Sequence, residues 1–386
     1  MAVFYVPSTN LIGPGVVNEV GDYIKDLGLN KALLVTDHFL STSPLLDKLK
    51  KPLDEAGIEY VVFSDVDPNP SVDNVLEGLS ILKDENCDFI ISFGGGSPQD
   101  TASSISIMAT NGGKVQDYEG VNKSEHKGLP VVAVNTTAGT SAEVTINYVI
   151  TDTERKVKMV MVDKNSLATI TVNDPELMIN QPASLTRSTG MDALTHAIES
   201  LVTPGAYPAT KKMSKGAVEL IYENLPICYK EPGNLEARTN MVNAIFIGGI
   251  AFSNAGLGFV HSMAHQLGSV YDLPHGIACA MLLPIVEKEN AKRFPERFRD
   301  VAEAFGLHTE GKSDEECAKY SIDTIVSLKE ELGIPEKLND LEGVNIPEDE
   351  FDFEMLSKNA LKDACAPANP FKPTLEETIA MYKELY

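Results

Sequence analysis

Near-continuous apolar runs alternate with amphipathic segments through the first 180 residues. Lys31–Thr36 (KALLVT), Glu59–Phe63 (EYVVF), Asp88–Phe93 (DFIISF) and Pro130–Asn135 (PVVAVN) have the pattern of strands buried on both faces, and segments such as Ser71–Lys83 between them have helical periodicity. Strands joined by helices predict a parallel sheet covered on both sides, the layout of an α/β nucleotide-binding domain. After Pro182 the β-type runs vanish and helical periodicity continues almost to the end, with stops such as Leu332-Gly333-Ile334-Pro335, a Gly cap followed by Pro. The stretch from Asp174-Pro175 to Gln181-Pro182 is the predicted boundary. It separates an α/β domain over 1–183 from an all-helical domain over 184–386.

Composition narrows the class. At 386 residues two domains are expected, and 43% hydrophobic with 23% charged residues describes an ordinary folded chain. The formal net charge of −24 and the lack of any Lys/Arg cluster exclude nucleic acid as a partner. The five cysteines (Cys87, Cys228, Cys279, Cys317, Cys365) are scattered with no C-x-x-C pair, which fits free thiols in a reducing cytoplasm. MAVFYVPSTN has no basic segment followed by an apolar run, so no signal peptide is expected. Thr239 to Tyr271 carries no Asp, Glu, Lys or Arg, but its glycines, asparagines and histidines read as a buried helix leading to a polar site, not a membrane span.

Candidate chemistry falls into two groups. Ser92-Phe93-Gly94-Gly95-Gly96-Ser97 follows an apolar strand and precedes a helical pattern, so its glycines would let the backbone approach a pyrophosphate at a helix N-terminus. The G-x-G-x-x-G fingerprint is absent, and a plain tight turn would use the same residues. Thr136-Thr137-Ala138-Gly139-Thr140-Ser141-Ala142-Glu143 also follows a strand and offers hydroxyls and backbone donors for phosphate or ribose. Asp37, just past the first of these strands, is placed to accept from a ribose diol and repel a 2′-phosphate, favouring NAD over NADP.

In the second half, Asp192 and His196 stand at i and i+4, one turn apart on one helix face. His261 and His265 repeat that spacing, and Pro274-His275-Gly276 follows. Four of the seven histidines thus lie within 80 residues. Five candidate ligands serve one centre, and spacing leaves open which of His261 and His265 binds. An all-N/O set suits Fe2+ or Zn2+. Glu199, a further turn past His196, is either an acceptor for a ligating histidine or a surface acid, and His38, His126 and His308 read as surface or loop residues.

Together these motifs resemble the iron-activated (group III) alcohol dehydrogenases over essentially the whole chain. Val172-Asn173-Asp174-Pro175 through Pro182 to Gly190-Met191-Asp192-Ala193-Leu194 and Glu199 matches one family signature. Gly258-Phe259-Val260-His261-Ser262-Met263-Ala264-His265-Gln266-Leu267-Gly268 with Pro274-His275-Gly276 matches the other. The resemblance implies a dehydroquinate synthase-like fold, an N-terminal dinucleotide-binding α/β domain plus an all-α C-terminal domain with the site in the cleft between them. It further implies Asp192, His196, His261 and His275 as metal ligands, with His265 lining the site without binding the metal, which makes His265 the candidate proton relay. Gly94, Gly95, Gly96 and Ser97 would bind the pyrophosphate, Thr136, Thr137, Thr140 and Lys158 the dinucleotide, and Asp37 the adenosine ribose. Asn147, Phe252, Leu257 and Cys365 match the substrate pocket. The run from Ala142 to Asp152 resembles the lactaldehyde reductase branch. Arg155-Lys156-Val157-Lys158-Met159, His265–Gly268 and Pro295–Phe298 are more similar to 1,3-propanediol dehydrogenase.

The expected activity is therefore metal-dependent, NAD(H)-linked interconversion of a short alcohol or diol and its aldehyde. A small-molecule substrate, no nucleic acid or membrane partner, a cytoplasmic location and a homodimer or larger homo-oligomer go with it, the β-type segment Val3–Pro7 being available to pair between subunits. Enzymes of the same fold act on phosphorylated polyols, as glycerol-1-phosphate dehydrogenase and dehydroquinate synthase do, but phosphate needs Lys/Arg beside the metal and only Arg187 is near the ligands in sequence. A non-catalytic metal-binding role is the third reading.

Overall fold

The computed structural model describes residues 3–155 and 157–386; Lys156 of the run noted above lies outside the described residues, as do Met1 and Ala2. The chain divides into two compact units, Met1–Ile179 and Asn180–Tyr386. The division falls inside the Asp174–Pro182 stretch, a few residues before position 183, because the Asn180 amide already bonds to the Pro232 carbonyl of the second unit (3.2 Å).

The first unit holds strands β1 (Thr9–Ile12), β2 (Lys31–Val35), β3 (Glu59–Phe63), β4 (Phe89–Gly94), β5 (Gly120–Val121), β6 (Val131–Asn135), β7 (Asn147–Asp152), β8 (Val157–Val162) and β9 (Ile170–Asn173), and helices α1 (Val20–Asp26), α2 (His38–Ser41), α3 (Pro44–Ala56), α4 (Val72–Asp84) and α5 (Gly96–Asn111). Six strands form a sheet in the order β1-β9-β6-β4-β2-β3 with every pairing parallel. The period of two along each strand sends alternate side chains to opposite cores. Leu33, Val35, Ile90, Val131 and Ala133 pack with α4 and α5 residues such as Val75, Leu79 and Ile105. Ala32, Leu34, Phe89, Ile91, Val132 and Val134 pack with Val20 and Ile24 of α1 and Leu46, Leu49 and Leu53 of α3. Substituting a polar residue at any of these would strand it in one core or the other.

The four strands read from the sequence are present within a residue at each end. The region Ser71–Lys83 is α4, started by a reciprocal bond pair between Ser71 and Asn74. Three features depart from expectation. Val3–Pro7 is irregular, and the N-terminal strand is Thr9–Ile12 instead, held in register with β9 from Thr9↔Ile170. β9 itself was unread because ITVN is too short to show a period. A second, three-stranded sheet, β5-β8-β7, pairs β7 antiparallel to β8 with Thr151 opposite Lys158.

The second unit is helical: α6 (Ala183–Val202), α7 (Pro208–Lys230), α8 (Leu235–Ala255), α9 (Phe259–Tyr271), α10 (His275–Arg293), α11 (Arg299–Ala304), α12 (Asp314–Glu331), α13 (Phe353–Ala360) and α14 (Leu375–Leu385). α12 stops as its sequence indicates: Gly333 takes φ +67° and the Ile334 amide bonds back to the Lys329 carbonyl. Among the described residues no single helix is long and apolar enough to cross a membrane. α8 and α9 pass that test only as a pair, bent by 101° at the break between them.

Candidate functional site

In the first unit the motif residues gather at the carboxyl ends of three adjacent strands. β2 leads to Asp37, β4 to Gly94–Ser97 and β6 to Thr136–Thr140. Chain direction across the sheet reverses at β2, with β3 on one side and β4 on the other, and the crevice at such a switch point is where α/β sheets hold ligands. Gly94 sits at φ +154°, where a Cβ would also lie 2.6 Å from Pro98 Cγ, so the tight strand-to-helix turn requires glycine. Cβ atoms at Gly95 and Gly96 would lie 3.0 Å from Thr137 Oγ1 and 3.2 Å from Thr140 Cγ2, so the two loops face each other at contact distance. α5 begins at Gly96 with no side-chain cap and no acidic residue in its first turn. Its first-turn amides therefore meet neither a capping side chain nor an acid of that turn, which suits a phosphate.

The threonine loop is fixed from beneath. The Thr137 amide donates to Asn135 Oδ1 (3.0 Å), Asn135 Nδ2 to Asn173 Oδ1 (3.0 Å), and Asn173 Nδ2 to Glu143 Oε1 (3.1 Å). Burial pushes the Glu143 carboxyl up to about 7. Ser97 donates its hydroxyl to the Pro68 carbonyl (2.6 Å), and the Lys158 ammonium donates to Asn69 Oδ1 (2.8 Å), so the loop at 68–69 joins both to the cradle. Asp37 also shapes its own loop, since one carboxylate oxygen accepts from the Leu40 amide (2.8 Å) and caps α2.

In the second unit α6, α9 and α10 carry the other cluster. Asp192 Oδ1 lies 3.8 Å from His261 Nε2 and 3.5 Å from His275 Nε2. Asp192 and His261 are each only 2% exposed, and neither Asp192 Oδ1 nor His261 Nε2 has a hydrogen-bond partner. Two buried polar atoms left unsatisfied cost about 1–3 kcal/mol each unless something fills the space between them. A cation would satisfy both, so the residues fit a metal ion. α10 comes this close because residue 276 is glycine; a Cβ there would lie 2.1 Å from the Ser188 carbonyl oxygen.

Glu199 is buried and is the acid that orients His261. One of its oxygens accepts from the Val260 amide (2.7 Å) and, more weakly, the His261 amide (3.4 Å), while the other contacts His261 Nδ1. With Nδ1–H given to this carboxylate, Nε2 carries the lone pair that a metal requires. The Phe259 amide donates to Asn369 Oδ1 (3.3 Å), so α9 is started by groups from α6 and the C-terminal region and not by Gly258 itself. Burial lowers the His275 pKa to about 3, keeping it a neutral donor. At His261 burial also acts downward, but Glu199 and Asp192 outweigh it and raise the pKa to about 10. Burial would raise Asp192, and the histidines around it hold it well below the usual carboxylate range instead.

The set of donors lying within 4.8 Å of one another is Asp192, His261, His275 and Cys279. It includes a thiol that spacing arguments about histidines did not reach, and it does not include His196. That ring stacks on His261 (centroids 4.5 Å apart) and on Phe252 (4.3 Å). His265 stacks over His275 at 5.5 Å, and its Nδ1 bonds Asp363 Oδ2 (2.9 Å), an acid for which the sequence carries no spacing signal. Burial acts to raise Asp363, but His265 holds it low, as a carboxylate. Cys365 lies in this second cluster with His265 and Asp363, and Leu257 is half-buried in the α8–α9 connection. Asn147 opens β7 in the first unit, half-buried. Arg187 is committed elsewhere, donating to the carbonyls of Leu332 and Gly333 at the end of α12.

Residues 7–175 match the family model "iron-containing alcohol dehydrogenase", and residues 186–386 match that for the C-terminal part of the Fe-containing alcohol dehydrogenase family. The chain belongs to the iron-containing alcohol dehydrogenase family. Among relatives of this alcohol dehydrogenase, the 1,3-propanediol dehydrogenase of Citrobacter freundii is 44% identical, covering 99% of this chain and 98% of its own. The lactaldehyde reductase of Escherichia coli K12 is 39% identical, with 97% of each chain covered. A solved structure of 1,3-propanediol oxidoreductase superposes with a TM-score of 0.96 at 44% identity over 100% of both chains. Both family models begin and end close to the bounds of the two units of the fold.

Proposed function

We propose that this alcohol dehydrogenase interconverts a short diol or alcohol and its aldehyde, of the 1,3-propanediol or 1,2-propanediol type, with NAD(H) and a divalent metal. The observation that carries the reading is the pair of buried, unpartnered donor atoms Asp192 Oδ1 and His261 Nε2 with His275 beside them. Asp192, His196, His261 and His275 hold Fe2+, with Zn2+ able to occupy the same donors. When bound, the metal supplies Lewis acidity toward the alcohol or aldehyde oxygen, and the nicotinamide supplies the hydride acceptor or donor.

The chain's own residues do the rest. Gly94, Gly95, Gly96 and Ser97 seat the pyrophosphate at the start of α5, Thr136, Thr137, Thr140 and Lys158 bound the dinucleotide, and Asp37 takes the adenosine ribose and disfavours a 2′-phosphate. Glu199 fixes the tautomer of His261. Asp363, accepting from His265 Nδ1, leaves His265 Nε2 as the atom that takes or returns a proton. Phe252, Leu257 and Cys365 line a small, mostly apolar pocket, and Asn147 hydrogen-bonds a second hydroxyl. A cytoplasmic, homo-oligomeric enzyme completes this reading; the exposed apolar side chains of Val3, Phe4 and Val6 supply a surface for a second copy.

The test is NADH oxidation against a panel of short aldehydes, with kinetics on 1,2- and 1,3-propanediol. Turnover of the C3 compounds is expected. Inactivity on every aldehyde with metal and NADH bound would refute the proposal, and unchanged turnover across pH in His265→Ala with full metal content would remove His265 from the mechanism.

A further inference from the structure

We propose that the cavity between α10, α12 and the chain that follows α12 is a second ligand-binding site, which takes a small monocarboxylate with an apolar body through the buried ammonium of Lys329. The site stands apart from the catalytic reading and does not depend on it.

The cavity has a volume of about 660 Å³ and lies wholly in the second unit. That falls in the range of about 300–1,000 Å³ usual for small-molecule sites. It shares no residue with the metal cluster. Along α10, Ile285 stands about 15 Å beyond His275, from ten residues at about 1.5 Å each. The end of α12 shapes the cavity. Gly333, at φ +67°, turns the chain, the Ile334 amide bonds back to the Lys329 carbonyl (3.1 Å), and Ile334 and Pro335 join the wall that Lys329 also lines. Ile285, Ile322 and Val326 complete an apolar lining.

The charges around the cavity differ in kind. Glu330, Glu336, Asp340 and Glu342 are exposed, so water and salt screen them. Lys288 and Glu384 pair with each other (2.9 Å). Arg187 uses Nη1 for the Leu332 (3.3 Å) and Gly333 (2.9 Å) carbonyls, and its Nε has no hydrogen-bond partner. Lys329 alone among these charged side chains is buried, at 3% exposed, and among the described residues its ammonium makes no hydrogen bond and no ion pair. A lysine in the last turn of a helix complements the helix dipole at the surface just as well, so the dipole does not account for the enclosure. Burial lowers the Lys329 pKa against the pull of Glu336 and Glu330, as expected of an ammonium without an adequate counter-ion.

An enclosed, unpaired charge is unfavourable, and a carboxylate in the cavity supplies the missing partner through a charge-assisted hydrogen bond. The exposed acids repel a second negative charge, which limits the ligand to a monoanion and disfavours dicarboxylates and phosphates. The apolar walls suit an aliphatic or aromatic body.

The probe is 4-bromobenzoate, titrated calorimetrically into the full-length enzyme loaded with metal and NADH, and soaked into its crystals, where bromine anomalous scattering reports position. Binding in solution, with bromine density in this cavity, is expected. Affinity should fall about 10-fold or more for the neutral 4-bromobenzamide, and by a similar factor for 4-bromobenzoate with Lys329→Met. Methionine keeps the length of the side chain and removes an unpaired buried charge, so the Tm of Lys329→Met should equal or exceed that of the wild type, separating lost binding from lost folding. Equal binding of benzoate and benzamide, binding that survives in Lys329→Met, or bromine density at the metal cluster instead overturns the proposal. So does density in crystals with no binding in solution. A change of oligomeric mass in Lys329→Met, measured by sedimentation, would show that a second copy of the chain covers the cavity, and it also overturns the proposal. Should Lys329→Met not fold, the comparison of benzoate with benzamide and the position of the bromine decide the matter.

Discussion

Glu199→Gln isolates the charge that orients His261. Glutamine keeps an oxygen for the Val260 amide, now at 2.7 Å, but replaces the carboxylate facing His261 Nδ1 with a neutral group. A hydrogen bond to a charged partner contributes about 1.5–3 kcal/mol. Losing an acceptor behind a ligating histidine typically weakens metal binding about 10- to 100-fold, which is about 1.4–2.8 kcal/mol. The two ranges agree, so metal affinity measured by competition with a chelator at fixed pH should fall by that factor. The metal-free protein loses the same charged hydrogen bond, so its Tm should fall as well. Glu199→Ala behaves differently, because it also leaves the Val260 and His261 amides buried without their acceptor, at about 1–3 kcal/mol each, and should lower the metal-free stability by about 2–6 kcal/mol. A folded Glu199→Gln protein that binds metal as tightly as the wild type would refute the argument that this carboxylate sets the tautomer of His261.

Further outcomes follow from the rest of the structure. Asp37→Ser retains a helix-capping oxygen for the Leu40 amide but removes the charge, so it should gain turnover with NADPH at a Tm close to wild type; if NADPH use does not improve, Asp37 does not face the ribose. Gly96→Ala places a Cβ 3.2 Å from Thr140 Cγ2 at the proposed pyrophosphate seat, and KM for NADH should rise while metal content is unchanged. Glu287 is fully buried with one oxygen unpartnered, and burial, with Glu199 nearby, pushes its pKa up to about 8. An acid whose folded pKa is raised is neutral in both states below about pH 4.5; above that the unfolded chain ionises first, so the cost to stability grows as pH rises and levels off above about pH 8. Glu287→Gln removes that cost, and its advantage over the wild type should grow from pH 5 to pH 8 toward a ceiling of about 5 kcal/mol, from 3.5 pKa shifts of 1.36 kcal/mol. A pH-independent difference between the two proteins in chemical denaturation would contradict it.

The parts of the fold that were legible in the sequence are those where one physical rule dominates. KALLVT, DFIISF and PVVAVN are buried on both faces, so burial alone marks them, whereas EYVVF, expected to be buried likewise, is the edge strand with Glu59 and Val62 exposed and only Phe63 buried, and is marked by its β-branched and aromatic residues instead. β7 and β8 were missed because each alternates buried with half-buried positions over a run that also carries polar residues, and β9 because four residues show no period. Spacing of i, i+4 put Asp192 with His196 and His261 with His265 on single helix faces, but only Asp192 and His261 of these four join the donor set with His275 and Cys279. That spacing cannot say which member faces the partner helices. His265 turns to Asp363, and Cys279 enters through α10, contacts fixed only by how the helices pack. Asn369, which seats the start of α9, lies 110 residues from the amide it holds, and no local pattern announces it.

The central claim is that the Asp192, His261 and His275 cluster binds the metal on which alcohol dehydrogenase activity depends. The direct measurement is the metal content of protein purified without added metal, followed by NADH-dependent aldehyde reduction before chelation, after it, and after Fe2+ or Zn2+ is restored. The account predicts one metal ion per chain, activity lost with the metal and recovered with it, and neither binding nor activity in Asp192→Asn. Full activity in the stripped protein, or in Asp192→Asn, would contradict it.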